Sequence, residues 1–310
     1  MSDNKDAPLQ CLIIGSGPTG LSAALYAARA NLVPVVLSGM DLGGQVANTG
    51  AIDNYPGFPE GIEGPELVEL FRKQAERFGA EVVFDSVTDV DFSERPFKVT
   101  TYAGEYLAET IIIATGASPR HLNVPGEKEF IGKGVSYCAT CDGHFFQGKD
   151  VVVVGGGDSA LKEGLFLTRF ANSVTIIHRR DELRGGVLLE TRAKDNPKIR
   201  FIWDTIVAEI LGEDTVESVR LKNKKTGESY VHPTDGVFIF IGHIPNSEIF
   251  ESQLDMSDRG YINVDNHMQT NMPGVFAAGE VADDRFQQVV TSAGMGAAAA
   301  MEVIDFLTEH

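Results

Sequence analysis

The apolar positions of this chain gather in short, almost unbroken runs instead of alternating with polar ones. Cys11-Leu12-Ile13-Ile14 is one such run; it leads into Gly15-Ser16-Gly17-Pro18-Thr19-Gly20, and an alanine-rich stretch follows from Leu21 to Ala30. A short apolar run bounded by glycine reads as a strand buried on both faces, so the predicted order is strand, glycine turn, helix. The same order returns at Val151 to Val154, Gly155-Gly156-Gly157-Asp158-Ser159-Ala160 and a helix through Phe170. Both copies continue into a second apolar strand, Pro34 to Leu37 and Val174 to Ile177. Two further glycine-ended strands, Ile111-Ile112-Ile113-Ala114-Thr115-Gly116 and Val275-Phe276-Ala277-Ala278-Gly279-Glu280, flank the second copy.

Each glycine turn has the same physics. The first glycine permits the tight bend, the second lets backbone approach a pyrophosphate, and a small third residue lets helix and strand pack closely. Phosphates then meet the N-terminal N–H groups of the helix, where the dipole favours anions. One such motif occurs by chance; two, each between a strand and a helix, indicate two nucleotide sites. The predicted fold class is therefore α/β, with two Rossmann-like, three-layer dinucleotide-binding domains, the second inserted in the first. The first domain is expected to be discontinuous, residues 1–117 and 247–310, and the second to span 118–246. The crossings near Ser118-Pro119 and Ile244-Pro245-Asn246 read either as hinges or as ordinary loop punctuation.

The copies differ where the second strand ends, the place an acidic residue usually takes a ribose 2′-hydroxyl. The first copy has Ser38-Gly39 there; the second has His178-Arg179-Arg180, with Arg184 close behind. Guanidinium forks match phosphate, so the second site reads as suited to the 2′-phosphate of NADP. The competing reading is a solvated basic loop balanced by Asp181 and Glu182.

Charge and cysteine content narrow the chemistry. Twenty-six basic against forty-four acidic residues give a formal net charge of -18, which argues against general binding to nucleic acid or anionic membranes. Met1 to Gln10 lacks the pattern of a signal peptide, and no apolar run reaches the roughly 20 residues of a membrane span, so a cytoplasmic location is expected. Cys138-Ala139-Thr140-Cys141 puts two thiols at redox-pair spacing just ahead of the second nucleotide strand. Zinc normally takes four ligands, and Cys11 is the one other cysteine, so no metal is expected. Asp142-Gly143 favours a turn that keeps the thiols near a surface or cleft.

Assembled in order, the glycine turn, the Ala114-Thr115-Gly116 strand end, Cys138-Ala139-Thr140-Cys141-Asp142-Gly143, His178-Arg179-Arg180 with Arg184, and Thr291-Ser292-Ala293-Gly294 give a chain that resembles the low-molecular-weight thioredoxin reductases. The resemblance runs from about residue 10 to 305. Flavoenzymes of the glutathione reductase type carry their cysteines soon after the first glycine turn, where this chain has Gly43-Gly44-Gln45. The resemblance implies a homodimer holding FAD, taking electrons from NADPH and reducing the disulfide of thioredoxin.

By the same resemblance Gly15, Ser16, Gly17, Pro18, Thr19 and Gly20 wrap the FAD pyrophosphate, with Ser38 close by. Gly43, Gly44, Gln45 and Asn54 line the flavin, and Ala114, Thr115, Gly116, Gly279, Glu280, Gln287, Gln288 and Val289 complete its site. Gly156, Gly157, Asp158, Ser159 and Ala160 meet NADPH phosphates, His178, Arg179, Arg180 and Arg184 surround its 2′-phosphate, and Ile241 and Gly242 form the strand end of that domain. Cys141 is the flavin-facing sulfur, Cys138 the outer one, and Asp142 the group that shuttles their proton, unless it merely forms a turn before Gly143. Because dithiol and arginines share one domain, a rotation between domains is expected. Three positions depart from the family: Glu280 replaces Asp, Gln287 replaces Arg, and His144 stands where an apolar residue is usual. The first two keep open a ferredoxin or other electron donor. A non-catalytic flavin and dithiol redox sensor is the alternative from outside enzymology.

Overall fold

The computed structural model describes residues 7–309. β1 (Leu9–Ile14) runs through the first glycine turn into α1 (Pro18–Arg29) and β2 (Val35–Leu37). Pro18, whose missing N–H costs nothing at a helix start, opens α1 three residues before the apolar spacing does. A small antiparallel pair, β3 (Ala51–Ile52) and β4 (Ile62–Glu63), precedes α2 (Gly64–Arg77) and β5 (Glu81–Val83). β6 (Val87–Asp91) and β7 (Phe97–Thr101) then lead into the long β8 (Glu105–Ile113).

β9 (Ala117–Pro119) carries the chain into a second unit containing β10 (Val135–Ser136), α3 (Ala139–Asp142), β11 (Asp150–Val154), α4 (Asp158–Leu167), β12 (Ser173–Ile177), α5 (Val187–Asp195) and β13 (Ile199–Ile202). There follow β14 (Thr205–Gly212), β15 (Val216–Asn223), β16 (Ser229–Pro233) and β17 (Gly236–Ile239). β18 (His243–Pro245) pairs with β9, and β19 (Val275–Ala277) and α6 (Val289–Glu309) complete the first unit. The chain thus divides into one unit made of residues up to Ser118 and from Ile244 onward, and another, Pro119–His243, inserted within it.

In the first unit the sheet order is β5-β2-β1-β8-β7-β6, with β19 added on β8. β8 is long enough to serve two partners: Glu105 to Ala108 pair antiparallel with β7, while Ile111 to Ile113 pair parallel with β19. Strand alternation sends Cys11, Ile13, Ile112 and Phe276 to one face, against Ala23, Ala24 and Ala27 of α1 and Ala299, Ala300 and Val303 of α6. Leu12, Ile14, Ile111 and Ile113 face the other way, onto Phe92, Phe97, Phe250 and Leu254. Each fully buried Leu, Ile or Phe contributes about 1.5–3 kcal/mol. α6 is long and apolar enough to cross a membrane by composition, but its alanine and glycine face packs on α1, where a Cβ at Gly296 would lie 2.0 Å from the Thr19 carbonyl oxygen.

The second unit holds an all-parallel sheet, β10-β17-β11-β12-β13. Val151, Val153, Val174 and Ile176 pack on Leu161 and Leu167 of α4 and Ala193 of α5. Its opposite face, Val152, Val154, Ile177 and Val237, meets Val207, Ile210, Val219 and Leu221. Those come from the antiparallel meander β14-β15-β16, so the third layer is a β-sheet in place of helices.

Candidate active site and nucleotide cradles

Cys138 and Cys141 form a disulfide at the N-terminal end of α3, and both are half-buried. The backbone N–H of Cys141 donates to Cys138 Sγ at 3.1 Å. After reduction that N–H would favour a thiolate at Cys138 over a thiol, because a hydrogen bond to the charged form lowers its pKa. Asp142 follows immediately, and its Oδ2 accepts a 2.6 Å hydrogen bond from Ser136 Oγ. Burial raises the Asp142 pKa, opposed by Ser136 and by the nearby His144. A carboxyl held so exchanges protons more readily near neutral pH than an exposed one does.

The expected turn at Asp142-Gly143 is not formed. Gly143 has φ -56° and ψ -32°, and the helical path continues through Gly143–Phe146. Glycine stands there for space: a Cβ would lie 3.3 Å from the Leu167 and Phe170 side chains. His144 is exposed, with its ring 3.9 Å from that of Phe145.

Two supporting groups escaped the motif analysis. Ser136, two residues before Cys138, also accepts the Cys138 N–H at 3.0 Å. Glu127, buried, accepts from the N–H groups of Leu122 and Asn123 and from the Tyr137 hydroxyl, and His121 Nδ1 lies 2.8 Å from the same hydroxyl. This pins the residue that precedes the redox pair. A serine or a glutamate outside any motif gives no signal until the fold brings it to the site.

In the first unit the residues assigned to one nucleotide form a continuous set. Ser16 Oγ donates to the Ser38 carbonyl and accepts from the Gly43 N–H, tying the first glycine turn to the segment beyond β2. A Cβ on Gly15 would strike the Ala114 carbonyl at 2.3 Å, and one on Gly279 would strike Thr19 Oγ1 at 2.1 Å. Both glycines have positive φ, so the close approach and the conformation each require glycine. Gln45 Nε2 donates to Glu280 Oε2 at 3.0 Å and to the Ala117 carbonyl, and Asn54 donates to Gln288 at 3.2 Å. Gln287 sits at φ +50° just before Val289 opens α6. Thr115 Oγ1 bonds the Asn246 carbonyl beside Gly116. Burial pushes the Glu280 carboxyl up to about 7, with Gln45 pulling it down and Asp283 adding to the rise.

The second unit repeats the cradle. Gly157 caps α4 without a side chain, as Gly17 caps α1, which leaves N–H groups of the first turn available to an anion. A Cβ on Gly156 would lie 2.2 Å from His178 Nδ1. Arg184 N–H donates to the Gly156 carbonyl, and the Gly186 N–H to Asp158 Oδ1, so the arginine loop folds back on the glycine turn. Arg179, Arg180 and Arg184 are exposed and make no ion pair among the described residues. Asp181, in the same loop, pairs with Lys225 at 2.7 Å. Ser159 and Ala160 lie in the first turn of α4, and Ile241 and Gly242 follow β17, with the Gly242 carbonyl accepting from the Arg120 N–H. His178 is 4% exposed, and its Nε2 has no hydrogen-bond partner. A buried ring nitrogen without a partner beside unpaired arginines fits a site shaped for a phosphorylated ligand.

Comparison with known proteins agrees with this chemistry. Residues 9–296 match the family model described as pyridine nucleotide-disulphide oxidoreductase. The thioredoxin reductase of Streptomyces coelicolor is 49% identical over 299 residues, covering 96% of this chain and 93% of that protein. That of Rickettsia felis is 50% identical over 303 residues, covering 96% and 98%. The crystal structure of thioredoxin reductase from Streptococcus pyogenes superposes with a TM-score of 0.92 at 44% identity, covering 97% of this chain and 98% of that one. With its disulfide at Cys138–Cys141 lodged between two glycine-turn cradles in sequence, this chain belongs to the pyridine nucleotide-disulphide oxidoreductases and, among them, to the thioredoxin reductases.

Proposed function

We propose that this protein reduces the disulfide of thioredoxin with electrons drawn from NADPH through bound FAD, acting as a cytoplasmic homodimer. The observation that carries the reading is the Cys138–Cys141 disulfide with Asp142 hydrogen-bonded beside it. Bound FAD supplies a two-electron carrier between nicotinamide and disulfide. Ser16, Gly43, Gln45, Asn54, Gly279 and Glu280 would hold it, and Gly156, Gly157, Arg179, Arg180 and Arg184 would hold NADPH.

Reduction of the internal disulfide consumes two electrons and two protons and leaves two thiols. Cys138, as thiolate, attacks one sulfur of the thioredoxin disulfide; the S–S bond of thioredoxin breaks and a mixed disulfide forms. Cys141 then attacks Cys138 Sγ, restoring the internal disulfide and releasing thioredoxin as a dithiol. Asp142 takes the proton as each thiolate forms and returns it to the departing sulfur. The Cys141 N–H, aimed at Cys138 Sγ, favours Cys138 as the attacking sulfur.

Cys138→Ser tests the redox assignment: thioredoxin turnover should vanish while NADPH still bleaches the flavin. Retained turnover refutes it. Anaerobic titration with NADPH, NADH and reduced ferredoxin identifies the donor; bleaching by ferredoxin alone would replace NADPH in the proposal, and a chain purified without flavin would end it.

A further inference from the structure

A carboxyl that alternately accepts and donates a proton keeps its hydrogen bond in both states when it has a neighbouring hydroxyl that can reverse its own. Asp142 has one. Ser136 ends β10 and is 5% exposed, so its hydroxyl is kept from bulk water. Its oxygen accepts the Cys138 N–H at 3.0 Å, which fixes the oxygen in place. Its single proton has two acceptors within reach, Asp142 Oδ2 at 2.6 Å and the Cys138 carbonyl at 3.2 Å. While Asp142 is ionised, the shorter, charge-assisted bond wins and the hydroxyl points at the carboxylate. Once Asp142 is protonated, its own O–H donates to Ser136 Oγ, and the serine proton swings to the Cys138 carbonyl. The bond between Ser136 Oγ and Asp142 Oδ2 persists in both states, and each state touches the peptide of Cys138.

We propose that Ser136 is a positioning residue for the dithiol chemistry: a hydroxyl rotor that holds Asp142 in place in both of its protonation states. The proposal rests on the reading that Asp142 exchanges protons with the dithiol. The other charged groups around Asp142 are His144 on the succeeding helical turn and Lys162 and Glu163 on α4, which packs on α3; Glu163 accepts from Thr140. The two thiols of the reduced protein complete that set. Ser136 bonds both Asp142 and the Cys138 peptide.

The test compares wild type, Ser136→Ala and Ser136→Thr as flavin-loaded enzymes. Losing the bond to the carboxylate favours its protonated form, so the acid limb of thioredoxin turnover should move up by roughly one pH unit in Ser136→Ala. kcat at neutral pH should fall about tenfold with the thioredoxin KM within about twofold, since a loss confined to the proton-transfer step spares binding. Threonine keeps the hydroxyl and should restore the limb. A second readout needs no thioredoxin: the pH profile of Cys138 alkylation by iodoacetamide in the dithiothreitol-reduced enzyme should shift the same way. Wild type that alkylates with this profile yet fails to reduce thioredoxin sinks the functional reading alone. An unmoved alanine profile in both assays overturns the proposal, as does an equal shift in alanine and threonine variants. If Ser136→Ala does not fold, Ser136→Cys keeps the volume with a weaker donor and must show a smaller shift in the same direction; no shift overturns the proposal.

Discussion

Glu280 offers the sharpest quantitative check on the first nucleotide cradle. Its carboxyl is half-buried, is held by the Gln45 amide, and has Asp283 as a like charge nearby. Burial raises it from an ordinary 4.5 to about 7. A folded-state pKa above the unfolded one means that the protonated form is the stabilised one. Its contribution to stability is complete below about pH 4.5 and is lost progressively as pH climbs to about 7, above which nothing more changes. At about 1.4 kcal/mol per pH unit, the loss across that window is on the order of 3 kcal/mol. Glu280→Gln is neutral throughout and keeps an amide that Gln45 can still bond. Wild type should therefore match the variant near pH 4 and be less stable by about 3 kcal/mol at pH 8. Urea unfolding of the flavin-stripped proteins, followed by far-ultraviolet circular dichroism, measures this difference. Taking the difference removes the pH dependence shared by the other acidic groups of a chain with net charge -18. A wild-type-minus-variant difference that stays flat from pH 4 to 8 would show that the Glu280 carboxyl is solvated and that the argument from burial is wrong.

Two other expectations address the second unit. Replacing Arg179 and Arg184 together by alanine should raise the KM for NADPH about tenfold or more while leaving NADH within about twofold, since only the former carries a 2′-phosphate for the guanidinium groups to meet; steady-state kinetics with both nucleotides decides, and equal effects would remove the 2′-phosphate role. Gly143→Ala should change stability by no more than about 1 kcal/mol, because its backbone is already right-handed helical and a gain in helix propensity offsets mild crowding by Leu167 and Phe170; thermal melting would expose a larger loss, which would mean that Leu167 and Phe170 cannot yield to the added methyl.

The sequence disclosed what depends on short-range patterns and hid what depends on long-range packing. Short apolar runs leading into a glycine turn identified β1, β8, β11 and β19, because a strand covered on both faces has few polar positions to interrupt it. The meander of Thr205–Gly212, Val216–Asn223 and Ser229–Pro233 was not legible in this way: one face packs on the sheet and the other meets water, so its apolar residues are spread among charged ones. The same contrast separates the cysteines from their supports. A redox pair declares itself by spacing, whereas the bond from Ser136 to Asp142 depends on where β10 ends relative to α3. Gly143 shows the converse error. Aspartate before glycine is a turn signal when glycine is present for its conformational range, but here it is present for its size, a reason that exists only once Leu167 and Phe170 of the following helix and its exit have folded against it. Local chemistry thus announced which reaction the chain can host. The residues that hold Asp142 in place became visible only through packing.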